Sequence, residues 1–478
     1  MWNLAVLLAG VAVAKSPLAT MDLKMSEAFE NKPSTESSQR ANWRPLANSI
    51  DEAPGLLPEM LFPQLITHGE EETTFDQRYY SSDQFYEKGG PAILYLGGES
   101  ALSHKVMGTG EAHRLAKTLN ASLFALEHRY YGKSQPFPDW TLPNLRYLSS
   151  GLALKDTARF IKSMGKPSQK WIVVGGSYAG SLAAWMRGEY PNLVHAAIAS
   201  SAPVIATDDF SSYDTMVAKA LGPTCSSSAR RVSQIIDTAI DNGDRSVIDS
   251  IKDQFGCSDV ADDIQFVSVL ADSLATAVQY HRPGGKFNID TVCRGIPSDD
   301  DNALLMHMAN ITRLYLATQN NTCSEATLVD ELNETTISPK KATRQWTYQT
   351  CTEFGFWQFA PQVDSIRSQK MTQQWIYEMS CSPMFFGTLL GPPNTQISNF
   401  RHGSKLPASR IIYTNGGLDP WSQLSLLAPE PNSDTMHIMI EHASHTQDLS
   451  AATNSDHLDL KLAREMLAST LIQWLKPN

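Results

Sequence analysis

The sequence predicts an α/β fold in which a mostly parallel sheet, with helices on both faces, is interrupted by a mainly helical insertion. Short runs that are apolar throughout alternate with helix-like segments in the first part of the chain, which is typical of parallel strands buried on both faces. The alternation stops near Ala206 and resumes in two late strands after residue 385. Because two strands alone would make a poor core, we expect them to join the first sheet and not to form a separate domain in series.

The pattern also places the individual elements. The predicted strands cover residues 92–96, 123–126, 171–174, 196–199, 410–414 and 436–440. The predicted helices cover residues 152–164 and 181–190 before the insertion, 216–221, 229–242 and 266–280 within it, and 456–475 at the end of the chain. We therefore assign the sheet domain to residues 51–205 and 386–478, and the helical insertion, or cap, to residues 206–385.

Residues 1–14 are typical of a secretory signal peptide. Their apolar run is too short to span a bilayer, which needs about 20 residues, and it ends in a small-x-small pattern at Ala12-Val13-Ala14. The polar segment 15–50 predicts a loosely ordered, propeptide-like lead-in. We expect no membrane span after it. The formal charge of −11 argues against a nucleic-acid partner, which would require a basic face.

Cysteine and asparagine positions also favour the secretory pathway. All six cysteines lie in the insertion, and no Cys-x-x-Cys pair indicates a zinc or redox site. In a secreted chain this even number predicts disulfides, although the spacing leaves their pairing open. Glycosylation sequons begin at Asn120, Asn310, Asn320 and Asn333. We expect neither a metal nor another cofactor.

A serine in a tight turn between a strand and a helix is the first feature with chemical meaning. The strand at 171–174 runs into Gly-Gly-Ser-Tyr-Ala-Gly at 175–180 and then into a helix-like segment. This is the context of the nucleophile elbow of the α/β-hydrolase fold, a sharp turn that needs small residues two positions before and after the serine. Gly175 and Ala179 meet that requirement, although glycine is usual at the second position. We therefore predict that Ser177 is a nucleophile.

A serine nucleophile needs a base, an acid that orients the base, and donors for the oxyanion. In this fold the acid and the base follow the serine in chain order, each after a later strand. Asp419 follows one late strand, and His442 and His445 both follow the next, so spacing leaves two candidate bases. The backbone N–H of Tyr178 and the Gly-Gly turn at Gly98 are the predicted oxyanion donors.

Several segments resemble one family of serine exopeptidases. They are Gly-Gly-Ser-Tyr-Ala-Gly (175–180), Glu-His-Arg-Tyr-Tyr-Gly-Lys-Ser (127–134), Ser-Ser-Ala-Pro (200–203), Asn-Gly-Gly-Leu-Asp-Pro-Trp (415–421) and Arg-Gln-Trp-Thr-Tyr-Gln-Thr-Cys-Thr-Glu-Phe-Gly (344–355). The family includes lysosomal Pro-Xaa carboxypeptidase, dipeptidyl peptidase II and thymus-specific serine protease, and the last segment is especially similar to the third of these. The resemblance extends over residues 50–475 and implies an α/β-hydrolase fold with a helical cap.

The resemblance also implies roles for particular residues. It maps the family's triad onto Ser177, Asp419 and His445, since this histidine follows a small residue and precedes an Asp-Leu pair, as in the family. Glu99 and Trp421 are candidates for the substrate pocket. The implied disulfides are Cys225–Cys293, Cys257–Cys323 and Cys351–Cys381. Peptides are the expected substrates, the expected location is lysosomal, endosomal or extracellular, and a homodimer stays an open alternative to a monomer.

Two departures from the family leave the triad untouched, and the first of them bears on substrate preference. Ser-Gly-Leu-Ala-Leu at 150–154 stands where the family commonly has Ser-Glu-Gln-Ala-Leu, and Phe359 lies near the place of a family cysteine. The sequence favours a serine exopeptidase over an esterase or lipase of the same fold and over a catalytically silent binding protein. Carboxypeptidase or dipeptidyl peptidase action, and a requirement for proline, stay open.

Overall fold

The computed structural model describes residues 57–69, 72–297, 300–327, 332–402, 409–429 and 433–476. Its centre is an eight-stranded sheet with the strand order β1-β2-β4-β3-β5-β6-β7-β8. The strands are β1 (Met60–Leu65), β2 (Thr74–Ser82), β3 (Ala92–Leu96), β4 (Ser122–Leu126), β5 (Trp171–Gly176), β6 (Val194–Ser200), β7 (Ser409–Gly416) and β8 (Asp434–Ile440). β1 and β2 pair in antiparallel fashion, and the strands from β3 to β8 are parallel to one another.

Helices flank the sheet and fill the insertion. Those described before the insertion are α1 (Gly110–Thr118), α2 (Leu142–Leu145), α3 (Ser150–Met164) and α4 (Tyr178–Glu189). Between β6 and β7 lie α5 (Ser212–Leu221), α6 (Pro223–Asn242), α7 (Arg245–Phe255), α8 (Asp263–Gln279), α9 (Ile289–Cys293), α10 (Asp301–Gln319), α11 (Thr343–Gln349), α12 (Gln373–Ser380), α13 (Pro383–Phe386) and α14 (Thr395–His402). The last helix is α15 (Leu458–Leu475).

The parallel strands are apolar throughout because helices cover both faces of the sheet. In β5, Val173 packs into a buried cluster with Leu182 of α4, whereas Ile172 faces a second cluster that contains Leu467 of α15. Successive strand residues point to opposite faces, so a strand covered on both sides has no solvent-facing position. This physical reason underlies the confirmed prediction of an α/β fold.

Sequence patterning did not predict β1 and β2. β1 contains Pro63 and exposes 46% of Leu61, and β2 includes the polar run Asp76-Gln77-Arg78. β1 is an edge strand, where proline is tolerated. Gln64 and Gln77 are buried, and the Gln64 amide donates a hydrogen bond of 2.8 Å to Gln77 across the pair of strands. The test for continuously apolar runs therefore missed them.

The helical insertion shares a core with the sheet. Phe266 and Leu270 of α8 belong to the same buried cluster as Val173 of β5. The late strand β7 pairs with β6, so the two parts of the chain on either side of the insertion meet in one sheet. The insertion and the sheet thus share one core, and no break in packing among the described residues marks a boundary between them. The domain boundaries drawn at residues 206 and 385 stay predictions.

Three disulfides connect segments of the insertion. The pairs are Cys225–Cys293, Cys257–Cys323 and Cys351–Cys381, which are the pairs that the family resemblance implies. The Cα–Cα separations of 5.4, 5.0 and 5.7 Å lie in the range of ordinary disulfides. The four sequon asparagines are all exposed.

Two sequence predictions fall outside the described residues. They are the signal peptide at 1–14 and the lead-in at 15–50. Within the part of the chain that the structure describes, no helix combines the length and the apolar character needed to cross a membrane.

Candidate active site

Ser177 occupies a sharp turn between β5 and α4. Its backbone has φ 55° and ψ −131°, a conformation that residues other than glycine rarely adopt. A Cβ at Gly175 would lie 2.0 Å from the carbonyl oxygen of Ala179, so this position must be glycine. Ala179 is buried in the same turn, so the turn forms with alanine at the position where the usual elbow has a second glycine.

Asp419 and His445 form a buried pair on the loops after β7 and β8. The Nδ1 atom of His445 lies 2.9 and 3.0 Å from the two carboxylate oxygens of Asp419, and both side chains are fully buried. Asp419 also accepts a hydrogen bond of 2.9 Å from the backbone N–H of Trp421, which holds the carboxylate in place. With Nδ1 donating to the carboxylate, Nε2 is the ring nitrogen that can accept a proton.

Ser177 and His445 line one cavity of about 420 Å³. The cavity lies at the carboxyl ends of the parallel strands, where ligands commonly bind in open α/β sheets. Gly98 and Glu99, on the loop after β3, also line it. Trp421, in contrast, is not among its lining residues. Its side chain is buried, with its ring centre 6.2 Å from that of His445, and its place in the substrate pocket stays a prediction.

The second candidate base, His442, lies elsewhere. Its side chain is 61% exposed, and its Nδ1 atom lies 2.9 Å from a carboxylate oxygen of Asp459. The carboxylate of Asp419 contacts His445 instead. The geometry therefore distinguishes the two histidines, which spacing alone does not.

The backbone N–H of Tyr178 begins helix α4. The first N–H groups of a helix have no partner within the helix and attract negative charge. Tyr178 follows Ser177 directly, and Gly98 lies beside Ala179, since a Cβ on Gly98 would lie 3.5 Å from the Ala179 Cβ. The arrangement suits the predicted oxyanion donors, whose role stays a prediction.

The Tyr178 side chain is held by two of the segments that carry the family resemblance, 127–134 and 344–355. Its hydroxyl accepts a hydrogen bond of 3.0 Å from the Nε2 atom of Gln349 and lies 3.0 Å from the Nε2 atom of His128. Because the Nδ1 atom of His128 donates to the carbonyl of Arg129, Nε2 is the acceptor from Tyr178. The two segments thus fix the residue next to Ser177.

Burial of His128 makes the stability of the folded protein depend on pH. It lowers the pKa of His128 to about 4, from an ordinary value of 6.5. The unfolded chain therefore binds more protons between about pH 6.5 and 4, and the free energy of unfolding falls as pH falls through this window. We expect a loss of about 3 kcal/mol over the full window. Urea unfolding at pH 7 and pH 4.5 should show a smaller loss in His128→Asn than in the wild type. An equal loss in both proteins would contradict the assignment.

Other residues of the 127–134 segment form a buried polar network. The Glu127 carboxylate accepts hydrogen bonds from Arg78 and from the Ser134 hydroxyl, the latter at 2.7 Å. Arg129 makes two hydrogen bonds of 2.6 Å to the carboxylate of Asp156 in α3. Buried charges need such partners, because a lone buried charge is costly. The family resemblance marks the segment 127–134, but the sequence alone does not indicate these partners.

Sequence reasoning also missed Gln279, at the end of α8. Its backbone carbonyl accepts the N–H of His445 at 3.0 Å, and its side-chain Oε1 accepts from the Trp421 indole at 2.9 Å and from the Tyr213 hydroxyl at 2.7 Å. One insertion residue thereby positions the loops of both members of the Asp–His pair. No local pattern marks a single glutamine for such a role.

A mostly parallel sheet with a strained serine elbow and a buried Asp–His pair at one cavity defines a serine hydrolase of the α/β-hydrolase fold. The chain matches the Serine carboxypeptidase S28 family over residues 68–467. It belongs to that family and is a serine peptidase.

Relatives align over most of this chain and most of their own length. Mouse thymus-specific serine protease is 31% identical, with 84% of each chain covered. Human lysosomal Pro-X carboxypeptidase is 29% identical and covers 84% of this chain and 85% of its own. The prolyl carboxy peptidase like protein 5 of Caenorhabditis elegans is 29% identical, with coverages of 84% and 86%.

Proposed function

We propose that the chain is a serine exopeptidase that hydrolyses short peptides through an acyl-enzyme. Ser177 is the nucleophile, His445 is the general base and then the general acid, and Asp419 orients His445. One observation carries the proposal: a serine on a strained elbow and a fully buried Asp–His pair converge on the same cavity.

The geometry supports a two-step reaction. The Ser177 hydroxyl attacks the peptide carbonyl carbon while Nε2 of His445 takes its proton. The backbone N–H groups of Tyr178 and Gly98 receive the oxyanion. Collapse of the intermediate breaks the C–N bond, and the leaving amine takes the proton from His445. Water, activated by the same histidine, then hydrolyses the ester and restores Ser177.

Restriction to a chain end is supported by the relatives, one of which is named a Pro-X carboxypeptidase. Peptides with proline next to the scissile bond are among the substrates to be tested. The three disulfides and the exposed sequon asparagines support a secretory-pathway protein of the lysosome, endosome or cell exterior.

Activity-based labelling combined with peptide digestion tests the proposal. A fluorophosphonate probe should label the folded protein, and mass mapping should place the label on Ser177. A peptide library should yield products trimmed at one end. The matched control is Ser450→Ala, which removes another serine hydroxyl from the wall of the same cavity and should keep full labelling.

Two outcomes would contradict the proposal. Absence of labelling in the folded protein would favour the silent binding protein. Labelling of Ser177 with hydrolysis of esters but of no peptide in the library would favour an esterase.

A further inference from the structure

His442, His457 and Asp459 form a cluster at the surface, outside the active site. The Nδ1 atom of His442 lies 2.9 Å from one carboxylate oxygen of Asp459, and the Nδ1 atom of His457 lies 3.2 Å from the other. The two imidazole rings stack, with ring centres 3.9 Å apart and planes at 25°. Both histidines are exposed, and none of these three residues lines the cavity of Ser177 and His445. The cluster is therefore open to solvent and separate from the catalytic groups.

The three side chains can supply ligand atoms to a single ion. One such atom from each residue lies within 4.8 Å of those from the other two. Ligand atoms around a tetrahedral zinc ion lie about 3.4 Å apart, since each metal–ligand distance is about 2.1 Å. Exposed side chains change rotamer readily, so small rotations of the two imidazoles close the remaining gap. Three protein ligands leave the fourth position of the ion to water.

The donor set selects the kind of ion. Neutral imidazole suits Zn²⁺ and the neighbouring transition metals, whereas Ca²⁺ takes about six to eight oxygen ligands and Mg²⁺ also requires oxygen. Two imidazole nitrogens and one carboxylate therefore favour zinc. All six cysteines form disulfides, so no thiolate of the folded chain competes for the ion.

The Asp459 carboxylate is already oriented by backbone groups. Its two oxygens accept the N–H of His442 at 2.9 Å and the N–H of Leu460 at 2.8 Å. Hydrogen bonds of this kind fix the ligands of a metal site. His457 is the N-cap residue of α15, yet its side chain makes no capping hydrogen bond. Its imidazole can therefore bind an ion without loss of a helix cap.

The cluster exists only in the folded chain. From the sequence we expected no metal, because no Cys-x-x-Cys pair marks a site. His442 and Asp459 are 17 positions apart. They meet because α15 packs beside β8, where Ile440 and Leu467 share one buried cluster.

We propose that His442, His457 and Asp459 bind one Zn²⁺ ion, which fastens the loop after β8 to the start of α15. The chain between these two segments contains His445 and part of the cavity wall, including Thr446. An ion that binds the folded chain and not the unfolded chain stabilises the folded state. Catalysis does not require the ion, because none of its ligands lines the cavity. The site is therefore independent of the proposed function.

Zinc titration of the full chain tests the proposal. Purified protein is freed of metal with EDTA, exchanged into chelator-free buffer at neutral pH, and titrated with Zn²⁺ in competition with a chromophoric chelator. The wild type should bind one Zn²⁺ per chain. His442→Ala and His457→Ala should each raise the Kd at least about 10-fold, because losing even an indirect partner of a metal ligand costs that much.

Thermal unfolding gives a second measurement. With free Zn²⁺ at about 100 times the wild-type Kd, the Tm of the wild type should rise by about 2–4 °C. The Tm of His457→Ala should rise at most about half as far at the same concentration. Because His457 is exposed and its side chain caps nothing, this variant should fold as the wild type does.

The matched control is His104→Ala, which removes a half-buried histidine from the segment before α1 and should leave the Kd for Zn²⁺ unchanged. Zinc binding that is as strong in His442→Ala and His457→Ala as in the wild type would overturn the proposal. Loss of binding in His104→Ala would do the same. So would a folded wild type that binds no Zn²⁺, or one that binds Ca²⁺ as tightly as Zn²⁺.

Discussion

Ser177→Ala is expected to lower kcat for peptide hydrolysis by about 10⁵- to 10⁶-fold, as in serine peptidases that lose the nucleophile. The substitution removes the oxygen that forms the acyl-enzyme and leaves the backbone of the elbow unchanged. The free energy of unfolding should therefore change by less than about 1 kcal/mol. Steady-state kinetics on a cleaved peptide, combined with thermal unfolding of the same preparation, measure both quantities.

The control for this variant is Ser450→Ala, which alters the same cavity without touching the elbow. It should keep kcat within a few-fold of the wild type. A Ser177→Ala protein that turns over peptide at more than about a hundredth of the wild-type rate would show that another group is the nucleophile.

Asp419→Asn is expected to lower kcat by about 10⁴-fold. The carboxylate accepts the Nδ1 proton of His445 at 2.9 Å in a fully buried position. An asparagine can present its NH₂ group to Nδ1, and this arrangement favours the tautomer with the proton on Nε2. Nε2 is then unable to take the proton of Ser177, so labelling by a fluorophosphonate probe should slow in parallel with kcat.

Asp459→Asn is the matched control. Asp459 pairs with His442, which lies on the same loop as His445 but at the surface. Its kcat should equal that of the wild type. If instead Asp459→Asn lost activity and Asp419→Asn retained it, His442 and not His445 would be the base.

Much of the fold was predictable because parallel strands buried on both faces leave a local signal. All six predicted strands lie in the sheet, each within a few residues of its observed bounds. β1 and β2 were not predicted, because polar residues and Pro63 interrupt their apolar runs, and Gln64 and Gln77 are buried there in a hydrogen bond to each other. The signal requires apolar residues on both faces of a strand, so a strand that buries polar side chains in hydrogen bonds is missed.

The site was predictable where chain order and a short motif describe it. Ser177 follows from the strand–turn–helix context, and Asp419 follows from its place after a late strand. The choice of His445 over His442 needed a family resemblance, since both histidines lie on one loop. Trp421 was expected in the substrate pocket; its buried indole donates to Gln279, and it is not among the residues that line the cavity of Ser177 and His445.

The sequence by itself determined the α/β class and the interruption by a helical insertion, and it marked Ser177 and Asp419 as candidate nucleophile and acid, because each of these depends on local patterns or on order along the chain. The tertiary structure alone decided which groups meet. It brings His445 to the carbonyl of Gln279, and Arg282 to Ser444 across 162 positions in the sequence. Such contacts depend on how the insertion packs against the sheet, and no local pattern encodes them.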